Sequence, residues 1–224
     1  MEEVLNLLQK NALFVGIDEQ DVEKLCGCLS ARKRTVAKGA FLLSAGDDVR
    51  FVYISLSGAL HIVDEDFWGN RSLVETIEPN TLFGEAYALS EAVKGKYLVG
   101  VVAAEESQVL EIDPGRLFTM CPNGCVCHCT LMKNTACILS EKIVRLTEKL
   151  GHVVQRSIRE KILSYLSGCA RLARSDAFDI PYSRQQLADY LCVDRSALSH
   201  ELSKMQHEGI VRYRKNHFEL TAPK

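Results

Sequence analysis

Residues 183–209 decide the fold and read SRQQLADYLCVDRSALSHELSKMQHEG. The stretch begins with a capping box, because the Ser183 hydroxyl can accept from the amide three residues on while the glutamine there reaches back. This predicts a short helix over residues 184–191. Asp194 is a suitable N-cap for a second helix over residues 195–208, which a glycine then ends. Two helices joined by a tight turn predict a helix-turn-helix.

The second helix carries groups suited to reading bases at its N-terminal turn. Arg195 can donate two hydrogen bonds to guanine O6 and N7, whereas Leu198 and Leu202 form the opposite, inward face. The predicted base-reading residues are Arg195, Ser196, Ser199 and His200. The residues expected to meet phosphates, which set register and not sequence, are Ser183, Arg184, Arg212, Arg214 and Lys215.

A helix precedes this motif and a hairpin follows it. Apolar residues recur at helical spacing over 158–170, and residues 210–213 and 218–220 alternate as a two-stranded wing. The chain has a net charge of −2, yet residues 155–224 hold 12 Lys and Arg against 8 Asp and Glu. This local basic excess favours nucleic acid as the partner of the C-terminal part.

A heptad pattern precedes the C-terminal part. Apolar residues repeat at alternating intervals of 4 and 3, and no glycine or proline interrupts residues 125–150. Such a stripe favours a coiled-coil seam in a twofold homodimer, the alternative being that it packs on the chain's own β-domain. The seam residues are Met132, Ala136, Leu139, Ile143, Leu146, Leu150 and Val153.

The N-terminal half has a different periodicity. Short helices are expected over residues 1–30, and short β-rich runs separated by turn signals extend from about 32 to 112. Many short strands with regular turns predict a small antiparallel barrel or jelly roll. The predicted fold class is α+β: a jelly-roll sensor domain over 1–120, a long dimerisation helix over 121–154 and a winged helix-turn-helix over 155–224.

The C-terminal motif resembles the winged helix-turn-helix of the CRP/FNR transcription regulators, and the front half resembles their cyclic-nucleotide-binding-type domain. The resemblance implies that the long helix dimerises, that the second helix enters the major groove of a palindromic operator, and that RNA polymerase is a partner. Arg195 stands where many members place a guanine-reading arginine, whereas Ser196 and His200 replace a frequent Glu and Arg. The matching segments are residues 187–202, 205, 208–211, 36–39, 46–47, 53–58 and 82–85.

The family's cyclic-AMP binders supply an Arg-Ser pair to the cyclic phosphate after a Gly-Glu. Here the corresponding stretch has lysines and no arginine, and lysine meets phosphate only as a point charge. The candidate effector pocket, by this resemblance, is Gly84, Glu85, Lys94, Lys96 and Tyr97. Glu85 could meet a ribose hydroxyl or could cap a turn.

Cysteines offer a second route to sensing, since the chain has nine of them. Soft thiolates suit an iron–sulfur cluster or zinc, and other members of the family carry such a cluster on N-terminal cysteines. Two alternatives stay open: thiols that are oxidised without a cofactor, and thiols that only pack. The candidate metal or redox residues are Cys121, Cys125, Cys127, Cys129, Cys26 and Cys28.

Several classes of protein are disfavoured. No run of apolar residues is long enough for a membrane helix, and the acidic start of the chain lacks a secretory signal, so we expect a cytoplasmic protein without membrane contact. Catalysis by a metal-binding barrel would need more than His61, the one histidine of residues 32–112, so no enzyme is expected.

The sequence therefore predicts a homodimeric, sequence-specific DNA-binding transcription regulator. Its DNA affinity is expected to respond to a metal or redox signal, or to a cyclic nucleotide or other small molecule, at the junction of the barrel and the long helix. The alternative is a constitutive DNA-binding module that senses nothing.

Overall fold

A computed structural model describes residues 2–68, 71–119 and 126–221 of the chain. The chain divides into two compact units, Met1–Ser140 and Glu141–Lys224. Among the described residues, no helix combines the length and hydropathy that crossing a bilayer requires.

The first unit contains the short N-terminal helices, eight strands and the first half of the long helix α5. Its helices are α1 (Glu2–Gln9), α2 (Glu19–Cys28), α3 (Glu85–Leu89), α4 (Pro114–Phe118) and α5 (Val126–Val153), with 3-10 turns at Ala12–Phe14 and Glu91–Val93. Its strands are β1 (Arg32–Val36), β2 (Phe41–Leu43), β3 (Val52–Ser57), β4 (Leu60–Glu65), β5 (Arg71–Ile77), β6 (Leu82–Phe83), β7 (Gly100–Ala103) and β8 (Ser107–Ile112).

The eight strands pair in two separate four-stranded antiparallel sheets. Their orders are β1-β8-β3-β6 and β2-β7-β4-β5, in which β4 and β5 are consecutive along the chain and the other neighbours are not. This is the strand order of a double-sheet jelly roll. The predicted α+β fold class with an antiparallel jelly roll is confirmed.

A buried asparagine ties the N-terminal segment to the sheets. Asn11 is 1% exposed, and its Nδ2 donates to the main-chain oxygen and to Oδ1 of Asn80, at 2.8 and 2.9 Å. Its own Oδ1 accepts from the Leu13 amide at 2.9 Å. Because both ends of the buried amide are satisfied, the segment is held in one register.

Helix α5 has one face buried against the core of the first unit. The buried residues follow a 3-4-3 spacing, typical of one helical face. Asn134 reinforces this face, because its Nδ2 donates to the main-chain oxygens of Leu13 and Val15, both at 2.8 Å. The apolar heptad residues proposed as the dimer seam are therefore not the residues of α5 that pack on the core of the first unit. The buried residues are His128, Leu131, Thr135 and Ile138.

The second unit contains the rest of α5 and the C-terminal elements. These are α6 (Ile158–Ala173), β9 (Ala177–Asp179), α7 (Arg184–Tyr190), α8 (Arg195–His207), β10 (Val211–Arg214) and β11 (His217–Leu220). The expected two-stranded wing is a three-stranded sheet of order β10-β11-β9. The prediction missed β9 because it has three residues and buries only Phe178, too little for a visible alternation.

The turn between α7 and α8 passes through a residue with left-handed backbone. Cys192 has φ +52° and is exposed, and an L side chain there costs about 1–2 kcal/mol relative to right-handed backbone. Glycine adopts this conformation without the clash.

We expect Cys192→Gly to stabilise the second unit by about 0.5–1 kcal/mol, the relief of strain being partly offset by the larger entropy of glycine in the unfolded chain. Urea unfolding measures the change. Cys192→Ala is the matched control, since it removes the thiol and keeps the strain. A gain with alanine as large as that with glycine would contradict the backbone explanation.

Candidate nucleic-acid interface and sensor site

Both helices of the motif begin at the predicted caps. The Ser183 amide donates to Gln186 Oε1 at 2.8 Å, and the Gln186 amide donates to Ser183 Oγ at 3.4 Å. At α8, the Ala197 amide donates to Asp194 Oδ1 at 2.9 Å. The Ser196 hydroxyl donates to the same carboxylate, and this bond is the first cause of the lowered pKa of Asp194. The serine thus completes the cap of α8.

One face of α8 is buried and the other is open. Leu198, Leu202 and Met205 are fully buried in the core of the second unit. Arg195 and His200 are exposed, and the Arg195 side chain makes no ion pair within the described part of the chain. An exposed arginine in the first turn has the reach and the free donors that a base edge requires.

An arginine on α6 fixes α8 from behind. Arg159 Nε lies 2.6 Å from Glu201 Oε1, and its Nη1 and Nη2 lie 2.7 and 2.9 Å from the two carboxylate oxygens of Glu208. Hydrogen bonding to Arg159 lowers the pKa of Glu208. A planar guanidinium bonded to both the middle and the end of α8 restricts rotation of the helix about its axis and translation along it. The sequence analysis missed this contact, because 42 and 49 residues separate the partners.

Arg184 fastens the wing to α7. Its guanidinium carbon lies 4.9 Å from the ring centre of Tyr213 and 5.5 Å from that of Phe218, and its Nη2 donates to the Lys215 main-chain oxygen at 3.4 Å. Burial lowers the pKa of this arginine. The structure therefore gives Arg184 a packing role, and its phosphate contact stays a prediction.

The remaining predicted phosphate contacts lie on or beside the wing. Arg212, Arg214 and Lys215 are exposed, with Arg212 Nη1 3.8 Å from Glu219 Oε2 on the neighbouring strand. A groove of about 380 Å³ separates the end of α8 from these strands. Its lining residues are Gln206, Arg212, Tyr213, Arg214, His217 and Glu219.

The candidate effector residues of the first unit differ in their burial. Gly84, at φ +83°, precedes α3, and Glu85 is 2% exposed. Tyr97 is buried and donates from its hydroxyl to the Phe51 main-chain oxygen at 2.8 Å, and burial raises its pKa. Gly84 approaches this hydroxyl: a Cβ there would lie 3.8 Å from it.

The two candidate lysines are at the surface. Lys96 Nζ lies 2.6 Å from Asp48 Oδ1, while Lys94 is exposed in left-handed backbone. Lys96 and Tyr97 line a cleft of about 410 Å³, together with cations and aromatic rings that the sequence analysis did not single out. These added residues are Arg34, Arg50, Phe51 and Tyr53.

The candidate thiols fall in three places. Cys121 and Cys125 lie outside the described residues. Cys28 and Cys129 are exposed, whereas Cys26 on α2 and Cys127 on α5 are half-buried and pack on the same core. Cys127 Sγ lies 3.7 Å from Asp21 Oδ2, and burial raises the pKa of the Cys26 thiol. Over the described ranges, no three His, Cys, Asp or Glu side chains come together as metal ligands.

Comparisons with known proteins cover both units. Residues 33–123 match the family model of the cyclic nucleotide-binding domain, and residues 160–224 match that of the Crp-like helix-turn-helix domain. The transcriptional regulatory protein btr of Bordetella pertussis is 26% identical in a comparison over 208 residues, with a coverage of 88% of this chain and 80% of that protein. The chain belongs to the CRP/FNR family of transcription regulators.

Solved structures of similar fold extend over nearly the whole CRP/FNR-type chain. The Thermus thermophilus catabolite activator protein has a TM-score of 0.54 at 21% identity, covering 94% of each chain. The c-di-GMP-responsive global regulator CLP of Xanthomonas campestris has a TM-score of 0.56 at 17% identity, covering 92% of this chain and all of the other. Both likenesses support the arrangement of a jelly-roll domain, a long helix and a helix-turn-helix.

Proposed function

We propose that this CRP/FNR-family regulator acts as a homodimer that reads a palindromic operator with the N-terminal turn of α8. The observation that carries the proposal is the exposed, unpaired Arg195 at the start of a helix fixed by Asp194 and Arg159. A rigid helix presenting a free guanidinium suits bidentate contact with a guanine. His200 and Ser199 continue the same surface, while Arg212, Arg214 and Lys215 are placed to meet phosphates.

Support for the homodimer comes from the outward face of α5. Met132, Ile143, Leu146 and Leu150 are 37–66% exposed, although each is a large apolar side chain. No member of the seven-residue seam is buried in the single chain, because the helix turns its other stripe inward. This favours a seam between two copies over packing on the chain's own β-domain.

A twofold dimer would present two copies of α8 to one duplex, which is why a palindromic site is proposed. RNA polymerase is the proposed protein partner, in keeping with the regulators of this family. The basic excess of residues 155–224 supports attraction to the phosphate backbone.

The sensing site is proposed at the contact between α2 and α5. Cys127 sits one helical turn before the fully buried Leu131, so chemistry at its thiol acts directly on the packing of α5. The carboxylate of Asp21 lies beside it, and Lys24 Nζ binds that carboxylate at 2.9 Å. The half-buried position of Cys127 beside the Asp21 carboxylate supports a redox change at this thiol as the form of signal proposed here.

The base-reading role is tested by selecting duplexes from a random-sequence library with the full-length protein. We expect a palindromic consensus, and we expect Arg195→Ala to lose about 1–3 kcal/mol of discrimination at one base pair of each half-site. Arg214→Ala is the matched control, which should weaken all duplexes alike and reduce the salt dependence of binding. Equal losses on all sequences with Arg195→Ala would contradict the role.

The dimer seam is tested with two neighbouring exposed apolar residues of α5. Leu146→Lys should raise the dimer dissociation constant by roughly a hundredfold or more, because the dimer loses two buried leucines worth about 2 kcal/mol each. Val144→Lys, one position after Ile143 and off the stripe, should leave the dimer intact. Sedimentation velocity measures both, and a monomeric wild-type chain or equal effects of the two variants would refute the seam.

The sensing role is tested by comparing operator affinity in reductant and after hydrogen peroxide, which converts a thiol to a sulfenic acid and is itself reduced to water. We expect a several-fold change in wild type and in Cys192→Ser, and none in Cys127→Ser. Iron, zinc and sulfide assays on anaerobically purified protein accompany the measurement. Affinity indifferent to peroxide, chelator, reductant and added nucleotides would instead favour constitutive binding.

A further inference from the structure

The end of helix α5 is held against α6 by a histidine. His152 Nδ1 lies 2.8 Å from Ser164 Oγ, and the imidazole meets the Tyr165 ring edge-on, with centroids 5.7 Å apart at 88°. The ring lies over Gly168, where a Cβ would approach His152 Cε1 to 3.7 Å. The imidazole therefore packs against α6 at both Ser164 and Gly168.

Three tyrosines extend this contact to α7. The Tyr165 and Tyr190 centroids are 5.4 Å apart, those of Tyr182 and Tyr190 are 5.1 Å apart, and His152 lies 6.3 Å from Tyr190. On α5, Lys149 Nζ stands 5.6 Å from the centre of the Tyr190 ring. The cluster therefore joins the last turns of α5 to both α6 and α7, and α7 leads directly into the turn before α8.

His152 is the member of this cluster that gains a positive charge as the pH falls. Burial lowers its pKa most, Arg171 acts in the same direction, and Glu148 opposes them. Burial also raises the pKa of the surrounding tyrosines and of Cys169, so these groups stay uncharged. The titratable and charged groups around the imidazole are Glu148 and Lys149 on α5, Tyr165, Cys169 and Arg171 on α6, Tyr182 before α7, and Tyr190 on α7.

We propose that His152 is a positioning residue for DNA binding: its neutral imidazole locks α6 and α7 onto the end of α5, and its protonation releases the lock and weakens operator binding in acid. This inference rests on the proposed function. The lock fixes the direction in which the helix-turn-helix projects from the proposed dimer helix. Two half-site helices must keep one separation to engage a palindrome together, so loosening either lock lowers the affinity.

The direction of the pH effect follows from linkage. The packed state holds the proton less tightly than a free imidazole, whose pKa is 6.5. The lock is therefore at full strength above that pH and weakens as the pH falls from it toward the pKa of the packed state. Other histidines lie on the exposed face of α8 and on the wing, and the test below leaves them unchanged. Those residues are His200, His207 and His217.

The test compares operator affinity of wild type and His152→Gln from pH 8 to pH 6 at constant ionic strength, on a duplex taken from the selection above. Glutamine keeps a partner for Ser164 but does not titrate. We expect the ratio of the wild-type Kd to the variant Kd to rise at least about threefold, since one pKa unit is tenfold for each subunit. The DNA-facing histidines are present in both proteins and cancel. His61→Gln, on β4 of the first unit, is the matched control and should behave as wild type.

A second measurement does not depend on DNA or on the variant. In wild type, the NMR titration of the His152 ring should have a midpoint below that of an exposed histidine. The protection factors of the α6 amides, which correct for the intrinsic pH dependence of amide exchange, should fall over the same pH range. A flat or falling Kd ratio overturns the proposal, as does a midpoint at or above that of an exposed histidine. Failure of the chain to select any duplex refutes the proposed function instead, and leaves the ring titration and the amide exchange to test the lock by themselves.

Discussion

Helix α5 has two apolar faces, and the rest of the molecule depends on that constraint. One face, with Leu131 and Ile138, is buried in the core of the first unit. The other keeps Ile143 and Leu146 more than 60% exposed, although burial of such side chains is worth about 2 kcal/mol each. If a partner covers the exposed face, a shift of the residues on the buried face is transmitted through α5 to that partner. Protein interiors are too densely packed to absorb such a shift locally.

The second unit depends on the precise placement of α8. Asp194 caps the start of α8, and Arg159 of α6 binds one carboxylate within the helix and one at its end. These polar contacts add to the fully apolar inner face of the helix. The apolar contacts alone would tolerate small slides along the helix axis. The bidentate geometry at Glu208 does not, because a planar guanidinium and a carboxylate align in one way.

Local features of the fold could be predicted from sequence, because each depends on residues close together. Ser183 and Asp194 mark the starts of their helices through contacts within four residues. The apolar heptad pattern of α5 is recognisable over a few helical turns of sequence. The many short strands and turns also predicted an antiparallel barrel or jelly roll, but not its strand pairing, which joins segments such as β1 and β8 that no local pattern connects. Strand β9 was missed because three residues carry no period.

The site was less predictable, because side-chain roles there depend on distant partners. Arg184 has the positive charge expected of a phosphate-binding residue, yet its guanidinium stacks on the rings of Tyr213 and Phe218 in the wing. Lys96 and Tyr97 are adjacent in sequence, but one pairs with Asp48 at the surface while the other is buried and bonded to Phe51. The sequence was sufficient to place Arg195 on the exposed face of α8. Asp194 marks the start of the helix, and this fixes the position of the next residue in the first turn.

The stack of Arg184 on the wing rings has a consequence for the geometry of recognition. The guanidinium contacts β10, β11 and the turn between them, and so restrains the wing against α7. On a duplex, the distance between the groove that α8 enters and the sugar-phosphate strand that the wing meets would then be set by the protein. A site of unsuitable local twist would have to deform the DNA, so helical pitch as well as base identity would contribute to the choice of target.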